Sequence, residues 1–128
     1  MESNFIKWNK LKIKLAQRKH RRCFAKKEIF YVHFGKNIGC EINGKTKNFL
    51  RPVLVFKKLS YETFVGIPLT TQKKSGNYFF EFNFLGKKSI AVFAQIRVFD
   101  SKRLAQKLGK IAKKDFENLK KEFKKFLF

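Results

Sequence analysis

Between residues 28 and 34 the side chains alternate, with Phe30, Val32 and Phe34 falling on one side of an extended chain. The pattern predicts a strand over Glu28–Phe34. Gly35 and Gly39 then punctuate a loop running to about Asn48. Val53–Phe56 is a short apolar run after Pro52, a residue suited to the first position of a strand. Thr63–Ile67 reads as the next strand, with Pro68 expected to stop it. From Tyr78 to Phe84 the alternation is cleanest: Phe80, Phe82 and Phe84 face one way, and Phe79, Glu81 and Asn83 the other. Gly76 and Gly86 bracket that strand as turns. Ser89–Phe93 reads as a strand that continues through Gln95-Ile96-Arg97. About five short strands at this spacing predict a small twisted sheet or barrel.

The period changes near the C-terminus. Phe116, Leu119, Phe123 and Phe126 share one helical face, and Lys120, Lys121, Lys124 and Lys125 occupy another. Asp115 and Glu117 sit early in this helix, where negative charge suits the dipole. Its apolar face is expected to join the core, with a membrane-surface role as the alternative. At the other end, Trp8, Leu11 and Leu15 make a narrow stripe that predicts a basic helix over residues 4–20. Leu11, Ile13 and Leu15 also alternate, which keeps a strand open there.

A chain of 128 residues, 44% hydrophobic and with 17 Phe, has the material for one domain with a real core. Its 31 Lys and Arg against 9 Asp and Glu give a formal charge of +22. That balance points to a polyanionic partner: nucleic acid, an anionic membrane or an acidic protein. The charge is +9 over residues 1–27, +6 over 28–101 and +7 over 102–128, so the ends are basic flanks to a less charged centre. Residues 1–26 therefore read as a basic extension and 27–128 as the folded domain. Arg18-Lys19-His20-Arg21-Arg22 is either a solvated turn or a phosphate-contacting patch. Only 6 of the basic residues are Arg; an AT-rich coding sequence favours Lys, Phe, Asn and Ile, and accounts for part of the charge. No apolar run approaches the length of a membrane helix, and no secretory pattern follows Met1. Cys23 and Cys40 are too few for a disulfide framework, so a reducing cytoplasm is expected.

The usual catalytic signatures are missing. The sequence has no P-loop and no Gly-x-Ser-x-Gly elbow, and its two histidines, His20 and His33, lack a carboxylate or thiol at ligand spacing. His33 reads as a packed or edge-strand histidine, or as half of an acid/base pair if the fold brings His20 to it. What remains is a set of polar residues at strand ends: Glu41, Arg51, Thr70, Thr71, Gln95 and Arg97. A guanidinium beside a hydroxyl can hold a phosphate and stabilise charge developing on it. Equally, an Arg before Pro and threonines at a strand end are ordinary surface and strand residues.

In order along the chain, from about Lys27 to Leu127, these segments resemble the MazF/PemK family of toxin–antitoxin ribonucleases. Glu28-Ile29-Phe30-Tyr31-Val32-His33-Phe34 is similar to the family's opening strand, and Gly39-Cys40-Glu41 to its Gly-Ser-Glu. Arg51-Pro52-Val53-Leu54-Val55 resembles the Arg-Pro-Val/Ala hallmark, and Ile67-Pro68-Leu69-Thr70-Thr71-Gln72 the Val-Pro-x-Thr-Thr-Gln segment. Ser89 through Gln95-Ile96-Arg97-Val98-Phe99-Asp100, then Ser101–Ile111, resemble the last conserved-order stretches before the terminal helix. Each piece is weakly specific, and together in register they are strongly so. Three features depart from the pattern: a longer Glu41–Arg51 loop, Ala94 where some members have Asp before the Gln, and Cys40 where some have His.

The resemblance implies an α+β, mainly β, fold: a small SH3-like barrel of about five to seven short strands with a C-terminal amphipathic helix. Here a basic, helical N-terminal extension would be added to it. The resemblance also implies a homodimer, an acidic antitoxin as protein partner, no cofactor and no metal. The implied activity is metal-independent cleavage of single-stranded RNA at short sequences, leaving 2′,3′-cyclic phosphate and 5′-hydroxyl ends. Carried over by position, Arg51 and Thr70 are the catalytic residues, with Thr70 holding the scissile phosphate. Glu41, Thr71, Gln72, Ser89, Gln95 and Arg97 shape the site and bind substrate. A non-catalytic basic nucleic-acid-binding protein and a gyrase-poisoning toxin of the same fold are the competing expectations.

Overall fold

The computed structural model describes residues 22–34, 50–73, 76 and 78–128. Seven strands alternate along the chain: β1 (Glu28–His33), β2 (Leu50–Lys58), β3 (Thr63–Thr70), β4 (Phe79–Phe84), β5 (Lys87–Val92), β6 (Arg97–Asp100) and β7 (Leu104–Lys110). One helix, α1 (Lys113–Leu127), follows them. All the pairings are antiparallel and join the strands into one sheet in the order β4-β5-β3-β2-β1-β7, with β6 added beside β3. The two ends of that order approach each other. A Cβ on Gly109 of β7 would lie 3.0 Å from Cζ of Phe84 on β4, so the sheet closes into a small barrel. The expected N-terminal helix, residues 4–20, lies outside the described residues.

β4 follows its alternation. Phe82 is buried, Phe80 and Phe84 pack on the same core, and Glu81 and Asn83 face solvent. The β4–β5 connection is Leu85-Gly86, with φ of 52° and 74°, the pair of positive angles that a two-residue hairpin turn of type I′ requires. Three expected strand boundaries are corrected. Pro52 is the third residue of β2, opposite Tyr31; the β2–β3 pairing starts one residue later, at Val53↔Pro68. Pro68 does not stop β3, which runs on to Thr70. On its other edge β3 pairs with β6 through Gly66 and with β5 from Leu69, so Pro68 sits in the gap where partners change and no N–H is called for on that edge. Finally, the run from Ser89 to Arg97 is broken by a 3-10 turn at Phe93–Gln95, the corner between β5 and β6.

Apolar residues fill both faces of the central strands. Inside the barrel, Ile29, Leu54, Ile67, Leu69, Phe82, Ala91 and Phe93 pack with Phe116 and Leu119 of α1. Phe123 and Phe126 extend that contact: Phe123 meets Phe56 edge-on at 5.0 Å and Phe93 at 5.4 Å between ring centroids. The helical face expected to be core is therefore the barrel's plug, and its lysines face solvent. On the second face of the sheet, Phe30, Val32, Val53, Val55, Phe64, Phe99 and Leu104 gather with Phe24 and Phe34. Gly66 lies beneath this layer because nothing larger fits: a Cβ there would be 2.6 Å from Val53 Cγ1 and 2.7 Å from the Phe99 ring.

Candidate active site

β2 enters the sheet at Leu50, and β3 leaves it at Thr70. Arg51 and Thr70 each lie two residues beyond the last β2–β3 pair, Val53↔Pro68. Two residues far apart in sequence thus come together at one end of the barrel. Arg51, Thr70 and Thr71 line a cleft of about 190 Å³, whose remaining walls are Tyr31, Leu50, Pro52 and Leu69. Because the cleft straddles strand ends, it reaches residues from both faces of the sheet.

Arg51 is only 4% exposed, and its Nε has no hydrogen-bond partner among the described residues. Burial pushes its pKa down from the ordinary arginine value. No carboxylate is paired with it among the described residues. A buried guanidinium without a counter-charge is a costly arrangement for a fold to keep. A cleft holding such a group is a candidate site for an anionic ligand. Thr70 is buried as well, and its Oγ1 accepts a hydrogen bond from the Gln72 backbone N–H at 3.2 Å, which turns the chain out of the sheet.

The other expected site residues are distributed around this centre. Thr71 is exposed at the cleft mouth, and Gln72 is exposed one residue farther on. Ser89 is buried on β5 opposite Phe82, outside the cleft lining. Gln95 closes the 3-10 turn after β5. Arg97 is exposed on β6, with its guanidinium 4.9 Å from the Phe99 ring centroid and 5.2 Å from that of Phe34. Arg103 has its pKa lowered by burial first and by the nearby Arg97 charge second, against an opposing pull from Asp100. Glu41 and Cys40 lie outside the described residues, as does His20. His33 is buried at the end of β1, opposite Leu50, and Cys23 is a free, exposed thiol. Sequence reasoning passed over Tyr31, which faces Pro52 across β1–β2 and lines the cleft. Its signal was parity alone, since it points away from the Phe30–Val32–Phe34 face.

Other concavities and metal groups offer less. A groove of about 610 Å³ runs along α1 between Lys121, Lys124, Lys125 and Phe128, and holds none of the expected site residues. Among the described residues no three His, Cys, Asp or Glu gather as a metal site. None of their helices is long and apolar enough to cross a membrane.

Comparison with known proteins bears on this cleft. The solved structures that resemble the fold include an endoribonuclease in complex with its cognate antitoxin from a Mycobacterial species, at 11% identity and TM-score 0.62, covering 82% of this chain and 95% of that one. The Mycobacterium tuberculosis toxin MazF-mt6 matches at 13% identity and TM-score 0.59, over 77% and 93% of the two chains. The MazE–MazF structure from Deinococcus radiodurans matches at 15% and 0.62, over 85% and 97%. No curated protein matches the sequence. At such identities the structural likeness speaks for the fold. The sequence itself matches, over residues 25–127, the family described as the PemK-like, MazF-like toxin of type II toxin–antitoxin systems. That match spans both strands that carry the cleft, and by it the chain belongs to the PemK/MazF toxin family.

Proposed function

We propose that this toxin is an endoribonuclease that cuts single-stranded RNA at the Arg51–Thr70 cleft. The observation that carries the reading is the buried Arg51 guanidinium, without a paired carboxylate among the described residues, lining one cleft with Thr70. A phosphodiester entering the cleft supplies a counter-charge that none of the described residues provides. Arg51 then holds the non-bridging oxygens, and the Thr70 hydroxyl adds a hydrogen bond. The adjacent 2′-oxygen attacks phosphorus, the bond to the 5′-oxygen breaks, the 2′-hydroxyl loses its proton, and the leaving 5′-oxygen gains one. The products are a 2′,3′-cyclic phosphate and a 5′-hydroxyl. Arg51 stabilises charge in this scheme rather than removing the proton, since a guanidinium stays protonated.

The charge of +22 draws the polyanion in, and the same field suits an acidic antitoxin segment laid over the cleft. The complexes named for the neighbouring folds support an antitoxin partner, and we assign the active form to a cytoplasmic homodimer. Incubation of the purified toxin with single-stranded RNA in EDTA tests the reading. Wild type is expected to cut and Arg51→Ala to leave the RNA intact. Salt-sensitive RNA binding without cleavage by wild type would favour a non-catalytic binding protein instead.

A further inference from the structure

The cleft has two chemically different halves, and the phosphate scheme uses only one. Arg51, Thr70 and Thr71 form the polar half; Tyr31, Leu50, Pro52 and Leu69 form an apolar one. Resting on the ribonuclease reading, we infer that Tyr31 is a substrate-binding residue whose ring stacks on the nucleobase next to the scissile phosphate.

Four observations carry the assignment. Tyr31 is half-buried in a strand otherwise packed on both faces, so part of its ring surface is left to the cleft. Its cross-strand neighbour is Pro52, a short rigid ring directly after Arg51, which holds the tyrosine within one residue of the phosphate clamp. Other aromatics of the fold are engaged with one another: Phe24 with Phe64, Phe34 with Phe99, and Phe56 with Phe116 and Phe123. Tyr31 has no ring partner among the described residues. Finally, about 190 Å³ is well below the size of a pocket for a whole drug-sized ligand, so the cleft accepts one phosphate and one flat group beside it. In RNA, the flat group nearest a phosphodiester is the base on the adjoining ribose. Every base offers a π-face, so the contact recognises the presence of a base more than its identity.

The test uses an oligoribonucleotide carrying one site mapped with wild type, and the same strand made abasic at each nucleotide flanking that site. For wild type, one of the abasic strands is expected to lose about 10- to 100-fold in kcat/KM, the factor that base–aromatic stacking supplies. Tyr31→Ala is expected to lose a similar factor on the intact strand and nothing further on that abasic strand. Tyr31→Phe, which keeps the ring, is expected to stay within about 3-fold of wild type and to retain the abasic penalty. Tyr31→Leu, which keeps an apolar body to pack on Pro52, guards against an alanine variant that fails to fold, and it should behave as alanine does. An abasic penalty that survives intact in folded Tyr31→Ala or Tyr31→Leu overturns the inference and leaves the ribonuclease reading standing. Wild type that cuts no RNA overturns both.

Discussion

Replacing Arg51 by Met should remove activity and, at the same time, leave the fold at least as stable. The side chain is 4% exposed, and its Nε is a donor without a partner among the described residues. Leaving such a donor buried and unsatisfied costs about 1–3 kcal/mol. Methionine replaces the aliphatic stem out to about the position of Nε and carries no charge to desolvate; the guanidinium volume it vacates opens to the cleft. The net expectation is a change between about zero and 3 kcal/mol in favour of the variant, or up to about 10 °C in Tm for a domain of this size. The sign with pH also follows. A cation whose pKa is lowered by burial destabilises the fold at every pH below its folded-state value, and the penalty fades as pH rises from there toward the unfolded-state value. Wild type and Arg51→Met should therefore differ by the same amount at about pH 6 and about pH 9, since a guanidinium is protonated at both in folded and unfolded chain alike. Thermal and urea unfolding at the two pH values supply the measurement. An Arg51→Met protein less stable than wild type by more than about 1 kcal/mol would refute the reasoning, because it would mean that the guanidinium holds the barrel together.

Other substitutions separate the site from its scaffold. Leu85 is 70% exposed at φ 52°, so Leu85→Asn should stabilise by about 0.5–1 kcal/mol through the turn's left-handed conformation, read as a higher urea midpoint. Gly66→Ala should destabilise by about 1–3 kcal/mol, because its methyl collides with Val53 and Phe99, and calorimetry should show a lowered Tm. Arg97→Ala should cost about 0.5–1 kcal/mol for its contacts with Phe34 and Phe99 and lower RNA cleavage less than tenfold, since Arg97 lies outside the cleft; a loss matching Arg51→Ala would place it in the chemistry.

Where one face of an element is buried and the other wet, the chain announces its structure. The β4 phenylalanines and the Phe116–Leu119–Phe123–Phe126 face of α1 are of this kind, and both pack as their spacing demands. β1, β2 and β3 are buried on both faces, so their lengths are masked, and Pro68 looks like a stop. What lets that proline remain inside β3 is non-local: the switch from β6 to β5 on the neighbouring edge. The break at Phe93–Gln95 is likewise a barrel corner inside an unbroken apolar run. β7 was not legible as a strand, because its pairing with β1 is interrupted by register shifts that blur any alternation. Arg51 and Thr70 could be singled out from their motifs, but the burial of Arg51 and the missing partner of its Nε could not. Those depend on how β2 and β3 are brought together, and the β1–β2 register sets Tyr31 beside Pro52 at the same cleft.

The central claim is that Arg51 and Thr70 promote attack by the RNA's own 2′-oxygen. It is tested most directly by analysing the ends of RNA cut by the purified toxin in EDTA, beside a strand with a single 2′-deoxy nucleotide immediately 5′ to the scissile phosphate. The account predicts a 2′,3′-cyclic phosphate and a 5′-hydroxyl from the ribo strand, no cut at the deoxy position, and no cut of either strand by Arg51→Ala. A 5′-phosphate product, or cleavage at the deoxy position, would contradict it.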